Sequence, residues 1–224
     1  MEIFLDTSSI KDIKKWDNLG FISGVTTNPA LLSKEKGMPI ELLKEICALM
    51  GERPVSAQVT AESSEKMIEQ GIYFSNLSDN ILVKLPSNLS GYKAQIKLSQ
   101  LNIKTNITLC FDPVTACLFA KAGATYVSMI LGRSEDFNLQ QSSLIKRTRA
   151  IFEHNSFDTK ILGASFRNPQ QIELAMSQGA DVLTIPPNSL SMLFNNPLTN
   201  GGLKDFEDAW KTINDNDKKT YDNF

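Results

Sequence analysis

The sequence predicts an α/β protein: a closed (β/α)8 TIM barrel in a single domain, with an extra helix near the C-terminus. Three observations carry this. Eight short runs rich in apolar or β-branched residues recur along the 224-residue chain. Segments with helical spacing of apolar residues lie between them. Glycines and Asn-Pro pairs stand where helices must end and begin. Strands alternating with helices at this spacing form βαβ units and a parallel sheet, and eight such units close into a barrel. The alternative built from the same elements is an open, doubly wound sheet.

Taken in order, the first strand covers 2–6 and the second 24–28, where Asn28-Pro29 offers a capping residue before a proline suited to a first helical turn. Apolar spacing predicts a helix over 39–50, then a strand at 55–59. A helix over 63–70 leads to the fourth strand at 81–86, and one over 92–101 to the fifth at 104–109. The helix at 113–122 stops at Ala122-Gly123-Ala124 before the sixth strand, 126–132. A helix over 139–153 precedes the seventh strand, 160–165. Asn168-Pro169 opens a helix over 169–178, and Gln178-Gly179-Ala180 ends it before the eighth strand, 182–186. One domain covers 1–224. A final helix over about 203–214 contains Phe206 and Trp210, and 215–224 reads as a loose polar tail in which Tyr221 and Phe224 offer anchors for a partner.

Composition narrows the function classes. With 23 Lys and Arg against 25 Asp and Glu, the net charge of −2 points to neither nucleic acid nor an anionic membrane as partner. No apolar run is long enough to span a bilayer, and the N-terminus lacks the pattern of a signal peptide, so the expected location is cytoplasmic. Cys47, Cys110 and Cys117 are odd in number and show no ligand spacing, which fits a reducing compartment. His154 is the single histidine, and it follows Arg147, Arg149 and Glu153 at what reads as an exposed helix end. That disfavours a multi-histidine metal site and Ser-His-Asp chemistry, so no metal or other cofactor is expected.

The run Ile81-Leu82-Val83-Lys84-Leu85-Pro86 sets one lysine in an apolar, β-prone stretch. A desolvated ammonium is disfavoured, and the usual response is a lowered pKa that frees the amine as a nucleophile for Schiff-base formation. The plainer reading is an edge lysine whose stem covers apolar surface while its head reaches water. What favours the first is company. In a barrel of this kind the active site lies at the C-terminal strand ends. Polar groups recur there: Asp6, Thr26 to Asn28, Gln58, Lys84, Asn106 and Thr108, Ser128 then Arg133, and Ser165 then Arg167. Each also has an ordinary structural role. Asp6 and Asn28 suit helix caps, and the arginines suit surface ion pairs. The recurrence on seven consecutive strands is what those roles leave unexplained.

Chemistry suggests parts for these groups. A lysine that attacks a ketone forms a carbinolamine that must lose water, which requires positioned proton transfer. Gln58 cannot titrate and is suited only to holding a water, with Thr108. Asp6 is the candidate general acid–base. Arg133 and Arg167 suit a phosphate, with Ser165 and the helix start at Asn168 adding donors.

Leu5-Asp6-Thr7-Ser8, Gly24-Val25-Thr26-Thr27-Asn28-Pro29, Val83-Lys84-Leu85-Pro86, the stretch Ala122 to Ser128, and Ala164-Ser165-Phe166-Arg167-Asn168-Pro169 resemble the transaldolase family. The resemblance is greatest to its small-subunit branch, which includes fructose-6-phosphate aldolase. Asn196-Pro197-Leu198-Thr199, followed by Phe206 and Trp210, resembles the family's C-terminal segment, so the likeness runs from about Met1 to Trp210. It implies a cofactor-free class I aldolase barrel of the pentose phosphate pathway. Lys84 would form the Schiff base, Asp6 act as acid–base group, and Thr108 help place the catalytic water. Thr26, Asn28, Asn106 and Ser128 would contact the sugar, and Arg133, Ser165 and Arg167 the phosphate. It also implies a homodecamer in which the C-terminal helix packs on a neighbouring subunit through Phe206 and Trp210.

Two positions depart from the pattern. Gln58 stands where transaldolases usually carry glutamate and the aldolase branch glutamine. Ile130 stands where the aldolase uses tyrosine and transaldolases phenylalanine. Together with Asn106 and Ser128 the balance favours transaldolase: transfer of a dihydroxyacetone unit between ketose phosphates (sedoheptulose 7-phosphate, fructose 6-phosphate) and aldose phosphates (glyceraldehyde 3-phosphate, erythrose 4-phosphate). The alternatives are an aldolase releasing free dihydroxyacetone and, more remotely, an inactive barrel serving as a binding or assembly protein.

Overall fold

The computed structural model describes residues 1–132 and 143–221, except for the side chains of Asn216 and Thr220. Strands β1 (Glu2–Asp6), β2 (Ile22–Thr26), β3 (Val55–Gln58), β4 (Ile81–Pro86), β5 (Thr105–Cys110), β6 (Tyr126–Ile130), β7 (Lys160–Ala164) and β8 (Val182–Ile185) close into a barrel in sequence order. All neighbours run parallel, and β1 pairs with both β2 and β8, which seals the ring. The predicted (β/α)8 architecture is therefore the observed one. The intervening helices are α1 (Ile10–Asp17), α2 (Pro29–Leu32), α3 (Pro39–Met50), α4 (Ser64–Ser75), α5 (Leu89–Gln100), α6 (Pro113–Lys121), α7 (Leu144–His154) and α8 (Pro169–Ser177). No helix among the described residues is long and apolar enough to cross a membrane.

Period-two alternation sorts the strand side chains. Toward the N-terminal end of the barrel the interior is apolar: Phe4, Leu82, Tyr126, Leu162 and Val182 belong to one buried cluster. Gly24 makes room for Phe4, since a Cβ there would lie 2.7 Å from the Phe4 ring. Two residues further along the same strands the interior turns polar, at Asp6, Thr26, Lys84, Ser128 and Thr184.

Some boundaries differ from expectation, each for a local reason. β2 ends two residues early because Asn28 is taken as the cap of α2, its side chain accepting from the Leu31 amide at 3.0 Å. Helix α5 starts at Leu89 because Asn88 caps it, accepting from the Gly91 amide at 2.8 Å. Helix α4 runs past Gly71 to Ser75 because that glycine is a packing contact, where a Cβ would lie 2.9 Å from Leu98 Cδ1. The first part of the helix expected over 139–153 falls outside the described residues, and α7 begins at Leu144.

The chain forms two compact units, the first ending at Ser189 and the second beginning at Leu190. A short helix, α9 (Pro187–Leu193), spans that boundary. The second unit holds α10 (Pro197–Lys211) and α11 (Asp215–Tyr221). Helix α10 starts earlier than expected, capped by Asn196 with Pro197 in the first turn, and continues through Gly201 and Gly202. Most of the tail expected to be loose is instead the helix α11, with the Tyr221 ring 5.0 Å from that of Trp210. Phe224 lies outside the described residues.

Candidate active site

The polar layer opens into a cavity of about 310 Å³ at the C-terminal strand ends. Lys84 lies in its wall and is only 7% exposed. Parallel pairing sets Gln58 of β3 and Asn106 of β5 level with it on either side. Its Nζ donates to the Thr27 carbonyl at 3.1 Å. Thr27 is itself anchored, because its amide and its hydroxyl both bond to the Ser56 carbonyl, at 3.1 and 2.7 Å. The lysine that the apolar run pointed to is thus buried, hydrogen-bonded and turned into the cavity.

Asp6 also lines the cavity, level with Thr26 on the next strand. Thr26 Oγ1 donates to Asp6 Oδ1 at 2.8 Å. The capping role weighed for Asp6 is filled instead by Ser9, whose hydroxyl accepts from the Asp12 amide. Asn28 serves both readings, capping α2 while lining the cavity. Gln58, Thr108, Ser128 and Ser165 line it as well. Between Ile107 and Cys110 the pairing of β5 with β6 slips, and Leu109 takes a left-handed φ of 59°. Ser165 is likewise left-handed, at φ 67°, with its carbonyl packed on Gly132. Two residues at the cavity mouth thus hold backbone conformations that non-glycine residues seldom adopt, a form of strain common at functional sites.

Two expected residues lie away from the cavity lining. Asn106 does not line the cavity. It is fully buried behind Ser128, accepting from the Ser128 hydroxyl at 2.7 Å and donating to Ser56 Oγ at 3.0 Å. Arg167 is exposed and outside the cavity lining, with its backbone amide bonded to Gln171 Oε1 at 2.8 Å. Arg133 lies outside the described residues. Sequence reasoning passed over Ser56 and Thr184. Both lie on the inward parity of their strands, Ser56 two residues before Gln58 and Thr184 two residues after Val182. Counting in twos along each strand finds them.

Other nucleophiles recede. Burial pushes the Cys110 thiol up to about 12 and the Cys47 thiol up to about 11, so both stay protonated at neutral pH. Among the described residues no cluster of His, Cys, Asp and Glu could hold a metal ion.

Fold and site together define a (β/α)8 barrel whose candidate active site pairs a buried lysine with a carboxylate at the carboxyl ends of the strands. The family described as Transaldolase/Fructose-6-phosphate aldolase matches residues 3–223. A "Probable transaldolase" of Bartonella henselae is 42% identical over 216 residues, covering 96% of this chain and 99% of the relative. One from Thermodesulfovibrio yellowstonii is 43% identical over 213 residues, covering 95% and 99%. One from Petrotoga mobilis is 44% identical over 215 residues, covering 96% and 97%. The chain belongs to the transaldolase/fructose-6-phosphate aldolase family, as its motifs suggested.

Proposed function

We propose that the protein is a transaldolase that moves a dihydroxyacetone unit from a ketose phosphate to an aldose phosphate through a Schiff base on Lys84. The observation that carries this is the buried Lys84 amine in a cavity it shares with Asp6. Removal from water favours the neutral, nucleophilic amine. Nζ adds to the C2 carbonyl of the ketose, and the carbinolamine loses water to give an iminium ion. The Asp6 carboxylate takes the proton of the C4 hydroxyl. The C3–C4 bonding pair moves to the iminium nitrogen, leaving an enamine and releasing the aldose phosphate. The enamine carbon then attacks the acceptor aldehyde, Asp6 returns its proton to the new hydroxyl, and water hydrolyses the iminium.

In this reading Thr108 and Gln58 hold the water that leaves and returns. Thr26, Asn28 and Ser128 meet the sugar, with Asn106 fixing Ser128 from behind. Ser165 with Arg167 and Arg133 serves the phosphate, and no cofactor takes part. The relatives' printed name supports transaldolase. Gln58 favours a second reading, aldolase activity that releases free dihydroxyacetone, because the aldolase branch that the chain resembles carries glutamine at this position.

Acceptor dependence separates the two. Release of glyceraldehyde 3-phosphate from fructose 6-phosphate should require erythrose 4-phosphate. Release at full rate without acceptor establishes the aldolase reading instead. We further propose a cytoplasmic homo-oligomer, a decamer, assembled through α10, where Phe206 is 73% exposed. Sedimentation velocity should show a species near ten times the 24.9 kDa chain, and a monomer contradicts it.

A further inference from the structure

Thr184 has no part in the scheme above, yet it sits where barrel interiors usually take valine or isoleucine. It is 3% exposed, and Thr26 is 1% exposed. Two buried hydroxyls are costly unless bonded. Their oxygens are 2.6 Å apart, and Thr26 Oγ1 donates to Asp6 Oδ1 at 2.8 Å. Proton counting then fixes the direction. A hydroxyl carries one proton, and an ionised carboxylate only accepts. Thr26 has given its proton to Asp6, so Thr184 is the donor in the contact between the threonines. The chain crosses three adjacent strands, from β8 to β2 to the carboxylate on β1.

We infer that Thr184 is a positioning residue for the acid–base step: its hydroxyl donates to Thr26, strengthens the Thr26 bond to Asp6, and so holds the carboxylate ionised and oriented. This rests on the proposed role of Asp6. Donors in series polarise one another. Threonine is stiff at χ1, so each hydroxyl is delivered from a narrow range of directions. The chain is strongest while Asp6 is ionised. It therefore favours the base before bond cleavage, and the return of the proton after bond formation. Thr26 of β2 bonds Asp6 directly and Thr184 of β8 reaches it through Thr26, and Lys84 of β4 is the other titratable group in the described cavity lining.

The test compares wild type with Thr184→Val, which removes the hydroxyl at nearly constant shape, and Thr184→Ser, which keeps it. Protonation of Asp6 is followed as the carboxyl C=O infrared band that Asp6→Asn abolishes, a readout that needs no turnover. The valine variant should raise the Asp6 midpoint by about half a pH unit or more. It should move the acid limb of kcat upward by the same amount, lower kcat about threefold to tenfold, and leave KM nearly unchanged. Serine should restore all of these. An unchanged midpoint in Thr184→Val overturns the inference, and so does a serine variant as impaired as the valine one. If the midpoint shifts as expected but Asp6→Asn keeps its turnover, the acid–base role of Asp6 fails while the link from Thr184 to Asp6 stands.

Discussion

Replacing Gly132 by alanine drives a methyl group into the backbone that presents Ser165. A Cβ at Gly132 would lie 1.9 Å from the Ser165 carbonyl oxygen and 3.1 Å from its carbonyl carbon. Cβ contacts shorter than 3.0 Å essentially do not occur, so the gap must open by about 1.1 Å. The obstacle is backbone, which cannot swing aside like a side-chain tip. The two segments are also tied, since the Leu131 amide donates to the Ala164 carbonyl at 3.1 Å. Overpacking of this kind costs about 1–3 kcal/mol. In a chain of this size that lowers Tm by roughly 2–12 °C.

The displacement falls on Ser165, which lines the cavity at a left-handed φ of 67°. A shift of about 1 Å at a positioning group can cost on the order of a hundredfold in rate. Gly132→Ala should therefore lower kcat/KM about tenfold to a hundredfold with fructose 6-phosphate and erythrose 4-phosphate. The loss should be smaller with unphosphorylated glyceraldehyde as acceptor, because Ser165 is assigned to the phosphate. Thermal denaturation at fixed protomer concentration and steady-state kinetics measure both. A variant with unchanged Tm and unchanged kcat/KM refutes the argument.

Lys84→Met should lower turnover at least about a thousandfold without loss of thermal stability, because it removes the nucleophile while replacing a buried amine by an apolar chain. Gln58→Glu introduces a titratable group beside Lys84 and should raise kcat at neutral pH about tenfold or more, measured with both substrates present. Ser128→Ala leaves the buried Asn106 Oδ1 without the Ser128 donor and should cost about 1–2 kcal/mol in urea unfolding. Asp17 is held below its ordinary carboxylate value chiefly by its hydrogen bond with Arg53. A depressed carboxylate stabilises the fold above its unfolded pKa, and that stability is lost as pH falls through the folded value. Asp17→Asn should therefore cost about 1 kcal/mol at neutral pH, where solvent partly screens the pair, and progressively less in unfolding measurements taken below about pH 4.

The barrel was legible in the sequence because its signals are local and repeated. Apolar runs of strand length, Asn-Pro starts and glycine stops recur with every unit. Lys84 was legible because a charge inside an apolar run stands out. Boundaries failed where one residue could serve two purposes. Asn28 reads as strand end or helix cap, and the cap wins through its bond to the Leu31 amide. The helix expected over 63–70 continues to Ser75 because the missing Cβ of Gly71 admits Leu98. Within the site, residue type located the polar layer but not its depth. Asn106 and Ser128 look equivalent along the chain, and only barrel geometry sets one behind the other. Thr184 was invisible for the same reason: a single threonine among Val182, Leu183 and Ile185 gains meaning only when closure of the ring brings β8 beside β1.

Borohydride reduction of the protein with fructose 6-phosphate, followed by mass mapping of the lysines, decides whether Lys84 forms the Schiff base. A reduced sugar-derived adduct should form on Lys84 alone, with activity lost in proportion to labelling. An adduct on a different lysine, or full turnover with no adduct at all, contradicts it.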